Sequence, residues 1–104
     1  MEQIIRYALL KPEKLAFYKE LHYNTWPHVK DILSQCKISQ YDLYFYENIA
    51  ISRLVYEGQD FAQDVKILDT DPLYQRWTEL TEPCFIKQRP DEPSWKDAEH
   101  IPIL

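Results

Sequence analysis

Tyr18 and His22 stand four residues apart, and Trp26-Pro27 follows at the same interval. On a helix this spacing stacks the phenol and the imidazole on one face, one turn apart. An imidazole with an ordinary pKa of about 6.5 exists in both protonation states near neutrality. It therefore suits a reaction that takes a proton at one atom and returns it at another. A lone histidine on a helix more often serves packing or the surface, and the spacing alone leaves both readings open. His28, at a helix start, and His100, in the tail, have less support.

The aromatic residues divide the same way. Tyr18, Tyr41, Tyr44, Tyr46, Tyr74 and Trp77 can be explained as core and sheet packing. They can equally form a pocket for a sugar, which offers C–H groups from a ring face and hydroxyls at its edge. The sequence has no metal-ligand cluster, phosphate-binding glycine loop, nucleophile elbow or triad pattern. These absences are negative evidence for the commonest catalytic machinery.

Composition narrows the partners. With 17 acidic against 12 basic residues the net charge is −5, opposite to what a phosphate backbone requires, so nucleic acid is not expected. No apolar run approaches the roughly 18 residues of a membrane span, and no basic-then-apolar leader opens the chain. A cytoplasmic location away from the membrane is expected. Cys36 and Cys84 lack any CxxC neighbour and read as free thiols.

These residues need elements to position them. Gln3 to Leu10 alternates as a strand, and Pro12 opens a helix running to about Asn24. Trp26, before a proline, is pushed out of helical geometry, so a second helix begins near Pro27 with Val29, Ile32, Leu33 and Cys36 as its apolar stripe. Ser39–Tyr46 and Ile49–Tyr56 form a hairpin about Glu47-Asn48. Asp60 caps a short helix with Gln63 as partner and Phe61, Val65 and Leu68 buried. Asp71-Pro72 opens another, with Leu73, Trp77 and Leu80 on one stripe, and His100 to Leu104 is the expected last strand.

That order predicts a single α+β domain over residues 1–104, with a ferredoxin-like antiparallel sheet and helices on one face. The opposite sheet face would be bare in a monomer. Two such sheets packing together would cover it and enclose a cavity, so a homodimer is expected.

Three segments resemble the L-rhamnose mutarotase family over nearly the whole chain. Tyr18 to Pro27 matches its Y-x-x-x-H-x-x-x-W-P pattern; Ser39 to Tyr44 is similar to its N-Y-x-I-Y/F strand, with Glu57 ending the next strand; and Thr70 to Trp77 resembles its D-P-x-x-Q-R-W-W helix. The resemblance implies a dimeric α+β barrel without cofactor that exchanges the anomers of a deoxyhexose, L-rhamnose or L-fucose. It further implies His22 as the acid/base residue with Tyr18 beside it, and Tyr41, Trp77 and Trp26 at the sugar. The chain departs from the pattern at Tyr23, at His28, where the family has an acidic residue, and at Thr78, where it has a second tryptophan. Two rival readings are a noncatalytic small-ligand dimer and a monooxygenase of the same dimeric class.

Overall fold

The computed structural model describes all residues, 1–104. Its elements run β1 (Glu2–Leu9), α1 (Leu15–Tyr23), α2 (Pro27–Gln35), β2 (Ile38–Tyr46), β3 (Ile49–Tyr56), α3 (Phe61–Asp64), α4 (Pro72–Thr81) and β4 (Lys96–Asp97). The four strands form one antiparallel sheet in the order β2-β3-β1-β4, the split βαβ arrangement expected from the sequence. No helix is long and apolar enough to cross a membrane.

Local chemistry accounts for the element boundaries. Pro12 begins a single 3₁₀ turn that leads into α1, and Pro27 and Pro72 occupy first-turn positions where a missing N–H costs nothing. Trp26 is extended, with φ −59° and ψ 135°, as a residue before proline should be. The carbonyls left open at the end of α1 are closed from just beyond it. Asn24 donates through Nδ2 to the Glu20 carbonyl at 3.0 Å, and the Thr25 hydroxyl donates to the His22 carbonyl. Asp60 caps α3 by accepting from the Gln63 N–H at 3.2 Å.

Strand alternation sends Ala8, Ala50, Ser52 and Leu54 toward the helices. Leu10, Tyr18, Cys84 and Phe85 join Ala8 and Ala50 in one cluster, while Cys36, Ile38, Leu54 and Tyr56 form a second under Phe61, Val65 and Leu68. Burying Leu10, Val29 and Ile32 stabilises the fold by roughly 1.5–3 kcal/mol each. The other sheet face leaves Tyr7, Leu9, Tyr44 and Tyr46 exposed.

Two expectations are corrected. The last strand is Lys96–Asp97, paired with Tyr7 and Arg6, and His100 to Leu104 is exposed coil. Trp95 packs on Phe85 and Asp97 accepts from Arg6 Nε at 2.8 Å, which fixes that segment on the sheet edge, while Pro102 offers no N–H for a ladder. The stripe on α4 is turned from the one expected: Trp77 and Thr81 are buried and Tyr74 half-buried, while Leu73 and Leu80 are 45 % and 39 % exposed. The large indole takes the core-facing position, and its i−3 and i+4 neighbours follow it inward. The chain also has a cleft of its own on the helix side of the sheet.

Candidate active site

His22 occupies the last turn of α1, with its ring between two aromatic neighbours. The Tyr18 ring centroid is 4.2 Å away and tilted by 34°, and the Trp77 centroid is 5.1 Å away at 73°. The Nδ1 atom lies 2.8 Å from the Tyr18 backbone oxygen. A carbonyl only accepts, so Nδ1 carries the hydrogen and the neutral ring keeps its lone pair on Nε2. Partial burial lowers the His22 pKa from its ordinary value of 6.5, opposed by the hydrogen bond to Tyr18. The imidazole is therefore neutral at pH 7, with a basic nitrogen free of protein partners.

That ring forms one wall of a cleft of about 450 Å³ bounded by α1, α2, α4 and the edge strand β2. Its size falls in the range of small-molecule sites. Tyr41, Leu43 and Phe45 line it from β2, Val29 and Leu33 from α2, and Tyr74 and Trp77 from α4. Tyr41 keeps 42 % of its surface exposed, yet its hydroxyl lies in desolvated surroundings. Burial first and Tyr74 second push that phenol well above its usual range, while Arg6 pulls the other way. Burial likewise raises the Tyr74 phenol. Both hydroxyls stay protonated and are equipped to donate hydrogen bonds to a ligand.

The structure thus brings His22, Tyr41 and Trp77 to one cleft. Tyr18 is set behind His22 in the core, only 2 % exposed, where burial and then Tyr41 raise its phenol far above the usual range. Trp26 does not line the cleft. It packs at 5.2 Å and 73° against Trp77 and faces a separate shallow surface with Arg76 and Glu79.

Sequence reasoning missed several neighbours. Tyr74 is among the aromatics offered for a pocket but is not singled out, because the expected stripe on α4 runs through Leu73; its i, i+3 spacing to Trp77 is a usable signal. Lys19 and Lys30 also line the cleft, as does Asp42. His28 donates through Nε2–H at 2.7 Å to the Asp71 carboxylate, which also caps α4 by accepting from the Tyr74 N–H at 2.8 Å. The Tyr74 N–H first, and His28 after it, hold the Asp71 carboxyl below its usual range. One departure from the family pattern therefore has a partner: His28 ties the start of α2 to the start of α4, the two walls that carry Trp26 and Trp77. No group of three or more His, Cys, Asp or Glu side chains is placed to hold a metal ion.

Fold and cleft together define a class: ferredoxin-like α+β proteins with a cleft of small-molecule size between sheet and helices, here beside a neutral histidine. The model of the L-rhamnose mutarotase family matches residues 4–101, and the chain belongs to that family, whose members are sugar mutarotases of the isomerase class. None of the curated protein sequences matches it. Among solved structures it resembles the L-rhamnose mutarotase from Formosa agariphila, with a TM-score of 0.77 and 19% identity over 100% of this chain and 99% of that one. It also resembles tetracenomycin F2 cyclase from Streptomyces glaucescens, a type-II polyketide cyclase (TM-score 0.64, 10% identity, 100% and 99% covered). A third is a protein described as an antibiotic biosynthesis monooxygenase from Nitrosomonas europaea (TM-score 0.62, 15% identity, 92% and 84% covered). At these identities the likeness is one of fold, and a fold shared with a cyclase does not select a reaction.

Proposed function

We propose that the protein exchanges the α and β anomers of a monosaccharide in the His22 cleft, with L-rhamnose as the first candidate sugar and L-fucose the second. The observation that carries this reading is the Nδ1–H donated to the Tyr18 carbonyl, which presents a neutral, basic Nε2 beside Trp77. In the proposed step Nε2 takes the proton of the anomeric hydroxyl as the bond from C1 to the ring oxygen breaks and the aldehyde forms. The ring oxygen gains a proton on its other side. A water there gives that proton and recovers one from the Nε2–H of the imidazolium, so the open aldehyde forms with His22 neutral again. Tyr18, buried behind His22, holds the imidazole through its carbonyl and ring. Rotation about C1–C2 and the reverse transfers close the other anomer, with no net proton consumed. The indole of Trp77 offers an apolar surface to the sugar's C–H face, and Tyr41 offers a hydroxyl.

Saturation-transfer NMR of L-rhamnose and L-fucose, with and without protein, tests the assignment. Faster exchange supports it. A sugar-induced rise in melting temperature without faster exchange would instead mark a binding protein.

The pH profile follows from the His22 environment. Since the folded pKa lies below 6.5, kcat/KM for exchange should fall to half its plateau only at a pH below 6.5. The stability linkage runs the same way. Between the lowered value and 6.5 the unfolded chain binds the extra proton, so His22 makes the native state lose stability as pH falls through that window. Exchange that is already halved above pH 6.5 would contradict the assignment of the base.

We further propose a cytoplasmic homodimer. Cys36 and Cys84 are buried free thiols, which suits a reducing compartment. Tyr7, Leu9, Tyr44 and Tyr46 on the open sheet face are what a second copy would cover. Sedimentation equilibrium at micromolar concentration should return twice the 12.6 kDa chain mass; a monomer would refute the assembly.

A further inference from the structure

The cleft carries cations that its own chemistry does not use. Lys19, three residues before His22, and Lys30, on α2, both line it. Neither takes part in any of the chain's ion pairs, although acidic residues outnumber basic ones 17 to 12. The Lys19 ammonium is held 5.1 Å from the centroid of the Phe45 ring, which is itself a cleft residue. That cation–π contact keeps the charge beside the cleft against the tendency of a lysine to extend into water. The acidic side chain on the cleft wall, Asp42, is already engaged by Arg53 at 3.3 Å. His22 is neutral. The uncompensated charge facing a bound ligand is therefore positive.

We propose that this cleft prefers an aldose bearing an anionic group, a carboxylate or a phosphate remote from the anomeric carbon, over the neutral sugar of the same configuration. Lys19 and Lys30 bind the anion while His22 works at the hemiacetal. The inference rests on the mutarotase reading and extends its substrate class beyond neutral deoxyhexoses. Lysine suits this task because its ammonium acts as a point charge that does not demand one planar geometry, so carboxylate and phosphate are both admissible.

The test measures anomer exchange by saturation-transfer NMR for matched pairs: D-galacturonate against D-galactose, and D-glucose 6-phosphate against D-glucose, with L-rhamnose alongside. Exchange efficiency for at least one anion should exceed that of its neutral counterpart by roughly five- to tenfold, the scale of two partly exposed ion pairs. That ratio should shrink on going from 20 mM to 500 mM salt. The Lys19→Gln/Lys30→Gln double variant should bring it close to one, and the corresponding double arginine variant should restore most of it. Preference for the uronate alone identifies a carboxylate site, and preference for the phosphate alone a phosphate site; either supports the proposal. Equal or better exchange of the neutral sugars, or an anion preference untouched by the double glutamine variant, overturns it and leaves the mutarotase reading standing. No exchange of any sugar overturns both.

Discussion

His22→Gln is expected to lower protein-catalysed anomer exchange by about 10²–10⁴-fold, the usual contribution of positioned proton transfer. Glutamine nearly fills the imidazole volume, and its amide NH₂ can still donate to the Tyr18 carbonyl that now receives Nδ1–H. It cannot take up and return a proton. Because the uncatalysed reaction already proceeds in water, a loss of that size returns exchange close to the background. The readout is saturation transfer at pH 7.5, where the wild-type imidazole is neutral. An unchanged circular dichroism melt separates lost chemistry from lost fold, since His22 is only half-buried. Exchange retained at the wild-type rate would remove this residue from the mechanism.

Trp77→Ala is expected to have the largest effect on stability. Its indole is 6 % exposed, meets the His22 and Trp26 rings at 5.1 and 5.2 Å, and forms part of the cleft wall. Truncating a buried tryptophan costs about 3–5 kcal/mol, from lost transfer free energy and the cavity left behind. For a domain near this size each kcal/mol shifts the melting temperature by roughly 4–8 °C. Exchange should fall as well, because His22 loses one of the two rings that hold its plane. Trp77→Phe should recover most of the stability and less of the exchange, as the smaller ring no longer reaches both neighbours. An unfolding free energy from urea titration within about 1 kcal/mol of wild type for the alanine variant would show that the surrounding side chains close over the gap.

These variants probe two levels at which the chain could be understood. The element order, three proline-led helix starts, the hairpin about Glu47-Asn48 and the Asp60 cap were all legible, because each depends on sterics or hydrogen bonds within a few residues. The Tyr18–His22 contact was legible for the same reason: one helical turn sets it whatever the rest of the chain does. Trp77 was singled out for its residue type and its motif, and it does reach the cleft, whereas Trp26 from the same reasoning stands behind it.

What the residues determined alone was therefore the series of local units and the one Tyr18–His22 contact contained inside a single helix turn. Only the tertiary structure decided that a cleft opens between the helices and the edge strand, that Lys96–Asp97 rather than the terminal residues completes β1's edge, and that Tyr74 accompanies Trp77 inward. It also joined His28 to Asp71 and brought Lys19 of α1 and Lys30 of α2 to the same cleft. The physical reason is range. Backbone sterics and capping act over about one turn of chain, whereas these placements depend on which large side chains win the limited interior volume, a competition among segments far apart in sequence.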